Sequence, residues 1–301
     1  MLQNKKHIFS QPRVTQAVLG VSRAEFERLL PAFSACLIQY RIELKPDRIR
    51  KVGGGRKGDL PSDEDKLIYI LLYLKLYPTY DALAVLTGHC RSKCGDSVKL
   101  LLPVLEKSLG RHLVLPVRRG RSLEDIFREN PELKDVFIDG TERRVNKPKK
   151  LKVRDKLYSG KKKSHTRKSI VVSDERKRIL LLSQAKSGRR HDKRIVDKNL
   201  IAEHIPASVT AWTDTGFIGM QHIHANTIMP KKATKNHKLT DREKQDNRVI
   251  ASIRVVNEHA IGGMKRFKAA SDIYRNRLPN MDDRLMRVSA GLWNLHLQQV
   301  G

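Results

Sequence analysis

Three acidic residues stand where carboxylates can serve metal-dependent phosphoryl chemistry: Asp139, Asp214 and Glu258. Asp139 closes the apolar, β-favouring run Val136-Phe137-Ile138 and is followed by Gly140-Thr141. Asp214 repeats the design after Val209-Thr210-Ala211-Trp212-Thr213, with Thr215-Gly216 behind it. Glu258 lies in a long helical pattern, four residues after Arg254 and seven before Lys265. Two strand-end aspartates and one helix glutamate suit a pair of Mg²⁺ ions, with Mn²⁺ as the alternative, about 3.5–4 Å apart. Such a pair activates an attacking oxygen and steadies the leaving oxygen of a phosphodiester. Each acid also has a plainer reading. Asp before Gly is ordinary turn chemistry, and Arg254–Glu258 at i, i+4 is a surface pair worth roughly a few tenths of a kcal/mol.

The elements that must carry these acids follow from periodicity. Strands are expected at 135–144, 168–173 and 178–184, forming an antiparallel meander, and again at 209–213 and 225–229. Helices are expected at 191–204, 241–266 and 282–297. At about 100° per residue, Ile250, Ile253, Asn257, Ala260 and Met264 share one arc of the 241–266 helix. Arg254, Glu258 and Lys265 fall on the adjoining arc, at the border of the buried face. His191-Asp192 stands at the start of a helix, where Asp192 either satisfies backbone donors or assists the metal site as a fourth acid. Glu142, three positions from Asp139 on a regular strand, faces the other way.

The charge balance names the substrate class. Lys and Arg total 61 against 32 Asp and Glu, a net charge of +29. An excess of this size favours a nucleic acid, because phosphate neutralisation releases counterions. From Arg143 to Lys168 there are thirteen Lys or Arg and one acid, Asp155. Such a run is either a solvated loop or, placed between two strands beside Asp139, a DNA-contacting loop. The second is expected here, with Lys161, Lys162 and Lys163 on phosphates and Tyr158 stacking on a base or sugar. There is no apolar run of membrane-spanning length and no apolar stretch of signal-peptide type at the N-terminus. The expected location is the cytoplasm, at the nucleoid in a bacterium, or the nucleus in a eukaryote.

The N-terminal third reads as helical. Ser22-Arg23-Ala24-Glu25 is a capping box, followed by Phe26, Leu29, Leu30 and Phe33 on one stripe, with Pro31 expected to kink or divide the helix. Lys51-Val52-Gly53-Gly54-Gly55-Arg56-Lys57-Gly58 fails the pattern of a phosphate-binding loop and reads as a basic linker. Ser62 caps a helix carrying Leu67, Ile70, Leu71 and Leu74. Thr79 opens a short helix ended by Gly88, and Ser92 opens a third with Val98, Leu101, Leu102 and Leu105. Helix, short Gly-containing turn, helix is helix-turn-helix spacing, although an ordinary three-helix bundle has the same pattern. In the DNA-reading case Arg91, Lys93 and Lys99 lie on or near the recognition helix. Gly95 inside that helix is unfavourable by about 1 kcal/mol relative to Ala, a cost that close approach to DNA would justify. Cys36, Cys90 and Cys94 are too few and odd in number for a disulfide framework. His89, Cys90 and Cys94 lack a second ligand pair for zinc, so small helix residues are the expectation.

Taken in order, Ile138-Asp139-Gly140-Thr141-Glu142, Tyr158-Ser159-Gly160-Lys161-Lys162-Lys163-Ser164-His165, Gly188-Arg189-Arg190-His191-Asp192, Thr213-Asp214-Thr215-Gly216-Phe217-Ile218-Gly219 and the Arg254…Glu258…Lys265 helix form a recognisable set. The chain resembles the DDE transposases, specifically the insertion-sequence-5 family of bacteria and its Harbinger-like relatives in eukaryotes, from about residue 60 to 297. One position departs: the related signature often has Tyr three residues before the Arg, and here it is Ala251. The resemblance implies an α/β fold: a ribonuclease-H-like mixed-sheet catalytic core, preceded by an all-α helix-turn-helix region. The order β-β-β-α-β-β-α-α is close to that core, in which the first and fourth strands lie side by side and would bring both aspartates to one end of the sheet. The expected organisation is a helical segment at 1–50, the linker at 51–61, the helix-turn-helix region at 62–115 and the catalytic domain at 130–301. The resemblance also implies Asp139, Asp214 and Glu258 as metal ligands, with Arg254 and Lys265 on the phosphates of the scissile strand. The expected partners are double-stranded DNA, as terminal inverted repeats and as target, and a second copy of the chain on DNA, with no membrane. The expected activity is endonucleolytic cleavage and strand transfer. The rivals are a related nuclease without joining and a catalytically idle DNA-binding protein.

Overall fold

The computed structural model describes residues 5–47, 49, 58–234, 238–276 and 278–300. The linker expected at 51–61 lies outside the described residues as far as residue 57. The chain divides into two units, one of Met1–Leu115, Met264–Asp272 and Leu278–Gly301, the other of Pro116–Gly263 and Ile273–Arg277.

The first unit is helical. It holds α1 (Lys5–Ile8), α2 (Pro12–Leu19), α3 (Arg23–Leu44), α4 (Asp63–Leu76), α5 (Tyr80–Thr87) and α6 (Arg91–Arg111), with α11 (Lys268–Ser271) and α12 (Met281–Val300). The capping box of α3 is present in both halves: Glu25 N–H donates to Ser22 Oγ at 3.1 Å and Ser22 N–H to Glu25 Oε2 at 2.6 Å. Pro31 does not divide α3, which runs unbroken through it. A proline inside a helix costs about 3 kcal/mol, and here the buried side chains of Phe26, Leu29, Phe33, Cys36 and Leu37 offset it. Helix α4 is apolar on all sides, with every residue from Leu67 to Leu74 buried, as a central core helix must be.

Helix α6 begins at Arg91 with Cys90 as its N-cap, a little before the Ser92 start expected from capping preference. A β-carbon at Gly95 would meet the Tyr80 ring at 3.5 Å. Gly95 is buried, and that distance is ordinary van der Waals contact, so packing on Tyr80 does not by itself require glycine there. The C-terminal helix, expected with the catalytic part, groups instead with the N-terminal helices. The reason is its apolar stripe, Leu285, Val288, Leu292 and Leu295, all buried, together with Arg284 and Arg287, which both bind Glu106 of α6.

The second unit is a mixed sheet flanked by helices. Its strands are β1 (Asp135–Arg144), β2 (Tyr158–Ser159), β3 (Ser164–Asp174), β4 (Ile179–Leu182), β5 (Lys186–Ser187), β6 (Thr210–Thr213) and β7 (Thr227–Ile228). Its helices are α7 (Leu123–Glu129), α8 (Leu151–Leu157), α9 (Asp192–Lys198) and α10, which spans Asp241–Lys265. The meander β1, β3, β4 is antiparallel, while β6 lies parallel to β1 and β7 parallel to β6. Strand β3 starts four residues earlier than expected, because Arg143↔Arg167 and Arg144↔Thr166 continue the ladder into the basic run. The helix expected at 191–204 stops at Lys198. Asn199 Nδ2 donates back to Ile195 O at 2.7 Å, and Leu200 takes a left-handed φ of 51°, which ends α9 before a short 3-10 turn at Ala202–His204.

Alternation along β1 and β3 separates the two sheet faces. Val136, Ile138, Ile170 and Val172 enter a core with Ile195 and Val196 of α9 and Leu123 and Phe127 of α7. On the opposite face Ser173 Oγ donates to Asn257 Oδ1 of α10 at 2.9 Å. Along α10, Asn257, Ala260 and Met264 are buried, while Ile250 and Ile253 are half-buried, which is the arc that the 100° arithmetic marks as inward.

Candidate active site

The parallel ladder between β1 and β6 ends at Ile138↔Thr213. The next residues in register are Asp139 and Asp214. Strand β6 stops just before Asp214, whereas β1 runs on through Asp139 and Gly140 to Arg144, because β3 continues to pair with it, so Asp139 stands within a strand and not at the strand end that was expected. Each takes a local backbone donor: Gly140 N–H to Asp139 Oδ1 at 2.6 Å and Gly216 N–H to Asp214 Oδ1 at 2.7 Å. The two interact as like charges. Burial first, and then Asp214, push the Asp139 carboxyl above the usual carboxylate range; the Gly140 N–H, Arg254 and Lys161 act the other way. Arg254 Nη2 lies 4.0 Å from Asp139 Oδ2. Two acids forced together in this way are relieved by a cation, so the pair fits a divalent ion by its donor chemistry.

A third carboxylate lies beside the glycines that follow the two aspartates, Gly140 and Gly216. A β-carbon at Gly140 would meet Asp192 Oδ1 at 3.0 Å and Asp192 Oδ2 at 3.3 Å, and one at Gly216 would meet Asp192 Oδ2 at 3.4 Å. Glycine at these positions leaves room for the Asp192 side chain. On the same sheet face, Lys168 Nζ lies 2.9 Å from Asp192 Oδ1 and 3.4 Å from Glu142 Oε1. Residue types and spacing bring Asp192 and Glu142 into consideration, but leave Lys168 as one charge in the basic run.

The other expected residues are placed as follows. Glu258 is exposed on α10, one turn after Arg254. Among the described residues no three His, Cys, Asp or Glu side chains are grouped closely enough to hold one ion. The structure therefore brings Asp139 and Asp214 together and leaves Glu258 on the neighbouring helix. Lys265 is half-buried in the last turn of α10 and groups with the helical unit. Lys161, Lys162 and Lys163 form an exposed turn between β2 and β3, with Tyr158 at its base, 45% exposed and edge-on to His165. The basic run preceding them folds into α8, which has no buried residue.

In the helical unit Arg91, Lys93 and Lys99 are exposed at the start of α6, beside Asp81 at 3.5 Å, Asp59 at 2.9 Å and Asp96 at 3.3 Å respectively. Cys94 is buried, Cys90 is exposed beside Ser92, and His89 stacks on Tyr69. No helix among the described residues is long and apolar enough to cross a membrane.

The chain is 28% identical over 279 residues, 92% of its own length and 92% of the relative's, to a protein of Microchaete diplosiphon described as a probable transposase for insertion sequence element IS702. No solved structure is detectably similar. A family profile described as DDE superfamily endonuclease matches residues 138–294, just over half of the chain and the span that contains Asp139, Asp192, Asp214 and Glu258. The chain belongs to the DDE superfamily of endonucleases.

Proposed function

We propose that this protein is a transposase that binds the ends of a mobile DNA element, hydrolyses the terminal phosphodiester and joins the freed 3′-hydroxyl to target DNA. The observation that carries the reading is the juxtaposition of Asp139 and Asp214 where the parallel β1–β6 ladder ends, flanked by Arg254 and Lys161, in a chain of net charge +29. The strand arrangement supports a ribonuclease-H-like core: an antiparallel β1-β3-β4 meander with β6 and β7 added parallel to β1. The short α5, the turn at Gly88 and the long α6 support a helix-turn-helix DNA reader.

Asp139, Asp214 and Glu258 would hold two Mg²⁺ ions, with Mn²⁺ able to substitute. Bound there, divalent ions supply an activated oxygen nucleophile and stabilise charge on the leaving oxygen. The remaining work falls to the protein's own cations. Arg254, beside Asp139, holds a phosphate of the scissile strand by charge-assisted hydrogen bonds. Lys161 approaches the same carboxylate from the β2–β3 turn and holds the next phosphate, while Lys162, Lys163 and Lys265 bind further phosphates. Tyr158 offers a ring face to a base. Bringing two element ends together calls for two copies of the chain on DNA.

Incubation with DNA carrying the element's terminal inverted repeats and Mg²⁺ tests the reading. Nicked ends together with joined products are expected. Nicks without joining would make the protein a nuclease, and retention without cleavage would make it a DNA-binding regulator. A second measurement tests the basic turn. Replacing Lys161, Lys162 and Lys163 together by Ala should flatten the dependence of log K on log salt by about 0.9 for each phosphate that is no longer neutralised. An unchanged slope in a filter-binding titration would place the turn away from DNA.

A further inference from the structure

We propose that Lys168 and Asp192 form a buried strut that sets the separation of Asp139 and Asp214, so that both act as positioning residues. The proposal rests on the reading of those two aspartates as the reaction centre.

The strut can be traced atom by atom. Lys168 is on β3, facing the same way as Ile170 and Val172, which are core residues. Its side chain is only 9% exposed. Its cross-strand neighbour on β1 is Glu142, whose Oε2 accepts from Thr166 Oγ1 at 2.6 Å. The Lys168 ammonium donates to Arg190 O at 3.1 Å, just ahead of α9, and pairs with Asp192 at the first residue of that helix. The Asp192 carboxylate then fills the space left by the missing side chain at Gly140, and its Oδ2 borders Gly216, where Asp214 Oδ1 stands closer still to the place of a β-carbon. Gly140 follows Asp139 directly, and Gly216 donates to Asp214. A displacement of Asp192 is therefore passed to the backbone beside both aspartates at once.

Stability alone does not account for such a group. Taking ions out of water costs several kcal/mol each, and buried ion pairs are often replaced by neutral side chains of similar volume with no loss of stability. A cation held under two carboxylates of a reaction centre does something a neutral filler cannot. It holds a third carboxylate rigidly against their backbones without adding its full negative charge to theirs.

The test uses the full chain and the paired variant Lys168→Met/Asp192→Asn, both carrying Glu142→Gln, so that the second carboxylate beside Lys168 is not left as a buried charge without its cation and the Glu142→Gln chain serves as the parent. It is read by Ca²⁺ titration calorimetry, thermal melting and steady-state cleavage of end DNA. The expected result is a melting temperature at or above that of the parent. Ca²⁺ affinity should be weaker by about tenfold or more, as for other residues that orient metal ligands, and kcat should fall with KM for DNA within about twofold. Calcium affinity and kcat within twofold of the parent would overturn the strut. So would a large fall in melting temperature with unchanged calcium affinity, which would make the pair a stability element. Asp139→Asn separates the two readings: if it abolishes calcium binding while the paired variant does nothing, the strut alone fails. If Asp139→Asn leaves both calcium binding and cleavage unchanged, the reaction centre fails and the strut with it.

Discussion

Replacing Asp139 or Asp214 by Ala will abolish DNA cleavage while leaving affinity for the DNA within about twofold. A loss of a thousandfold or more is expected for each, since removing even one preorganised electrostatic contact to a transition state costs on the order of 10²–10³ in rate. Binding survives because phosphate contacts come from lysines and arginines spread along the chain. The amide variant Asp139→Asn carries a second expectation of opposite sign. Burial and the Asp214 charge hold the Asp139 carboxyl above the usual range. A folded-state value raised in this way means that ionising Asp139 works against the fold. The penalty is absent below the ordinary carboxylate range and grows as pH rises through the raised folded value. In chelator at neutral pH, Asp139→Asn should therefore melt higher than the parent, by on the order of 2 °C, and the gain should vanish as pH falls below the carboxylate range. An inactive, more stable variant is the signature of a functional site that sacrifices stability. A melting temperature that falls at neutral pH would show that Asp139 is held for structural reasons.

The two aspartates were legible because each follows an apolar β-favouring run and has a glycine within two residues, a local signal that needs no tertiary knowledge, although β1 continues through Asp139 and Gly140 instead of turning there. The inward arc of α10 was legible for the same reason: Asn257, Ala260 and Met264 follow from helical geometry alone, and all three are buried. Parallel pairing of β1 with β6 is a long-range event, and only the family resemblance anticipated it. Lys168 was hidden by its surroundings. Counted among thirteen cations it reads as solvated, yet the alternation Thr166, Lys168, Ile170, Val172 turns it inward opposite Glu142. Period-two reading of the run, rather than its charge, carries that information. The effect of Pro31 and the length of α9 were hidden for different reasons. Burial of a long helix face outweighed the local penalty of proline in α3, and a left-handed Leu200 ended α9 where periodicity continued.

Glu258→Ala should lose cleavage as completely as the aspartate variants, and Glu258→Gln should be no better, because the position requires a negative oxygen and not merely a hydrogen-bonding shape. The competing account makes Glu258 the surface partner of Arg254, in which case its removal changes stability by about 0.5 kcal/mol or less and activity not at all. The structure shows no Arg254–Glu258 ion pair among the described residues. Arg254 is turned to Asp139, at 4.0 Å, and its side chain is 18% exposed, while Glu258 stays exposed one turn along the same helix. Glu258 adjoins the buried arc of α10, which Asn257 anchors on Ser173. Arg254→Ala serves as the comparison: it removes a phosphate contact and not a ligand, so a smaller loss, about 10–100-fold, is expected. Single-turnover cleavage of end DNA in Mg²⁺, with binding measured separately by anisotropy, resolves the two effects. If Glu258→Ala cuts at the parental rate, Glu258 is not a ligand of the centre and α10 contributes only its arginine.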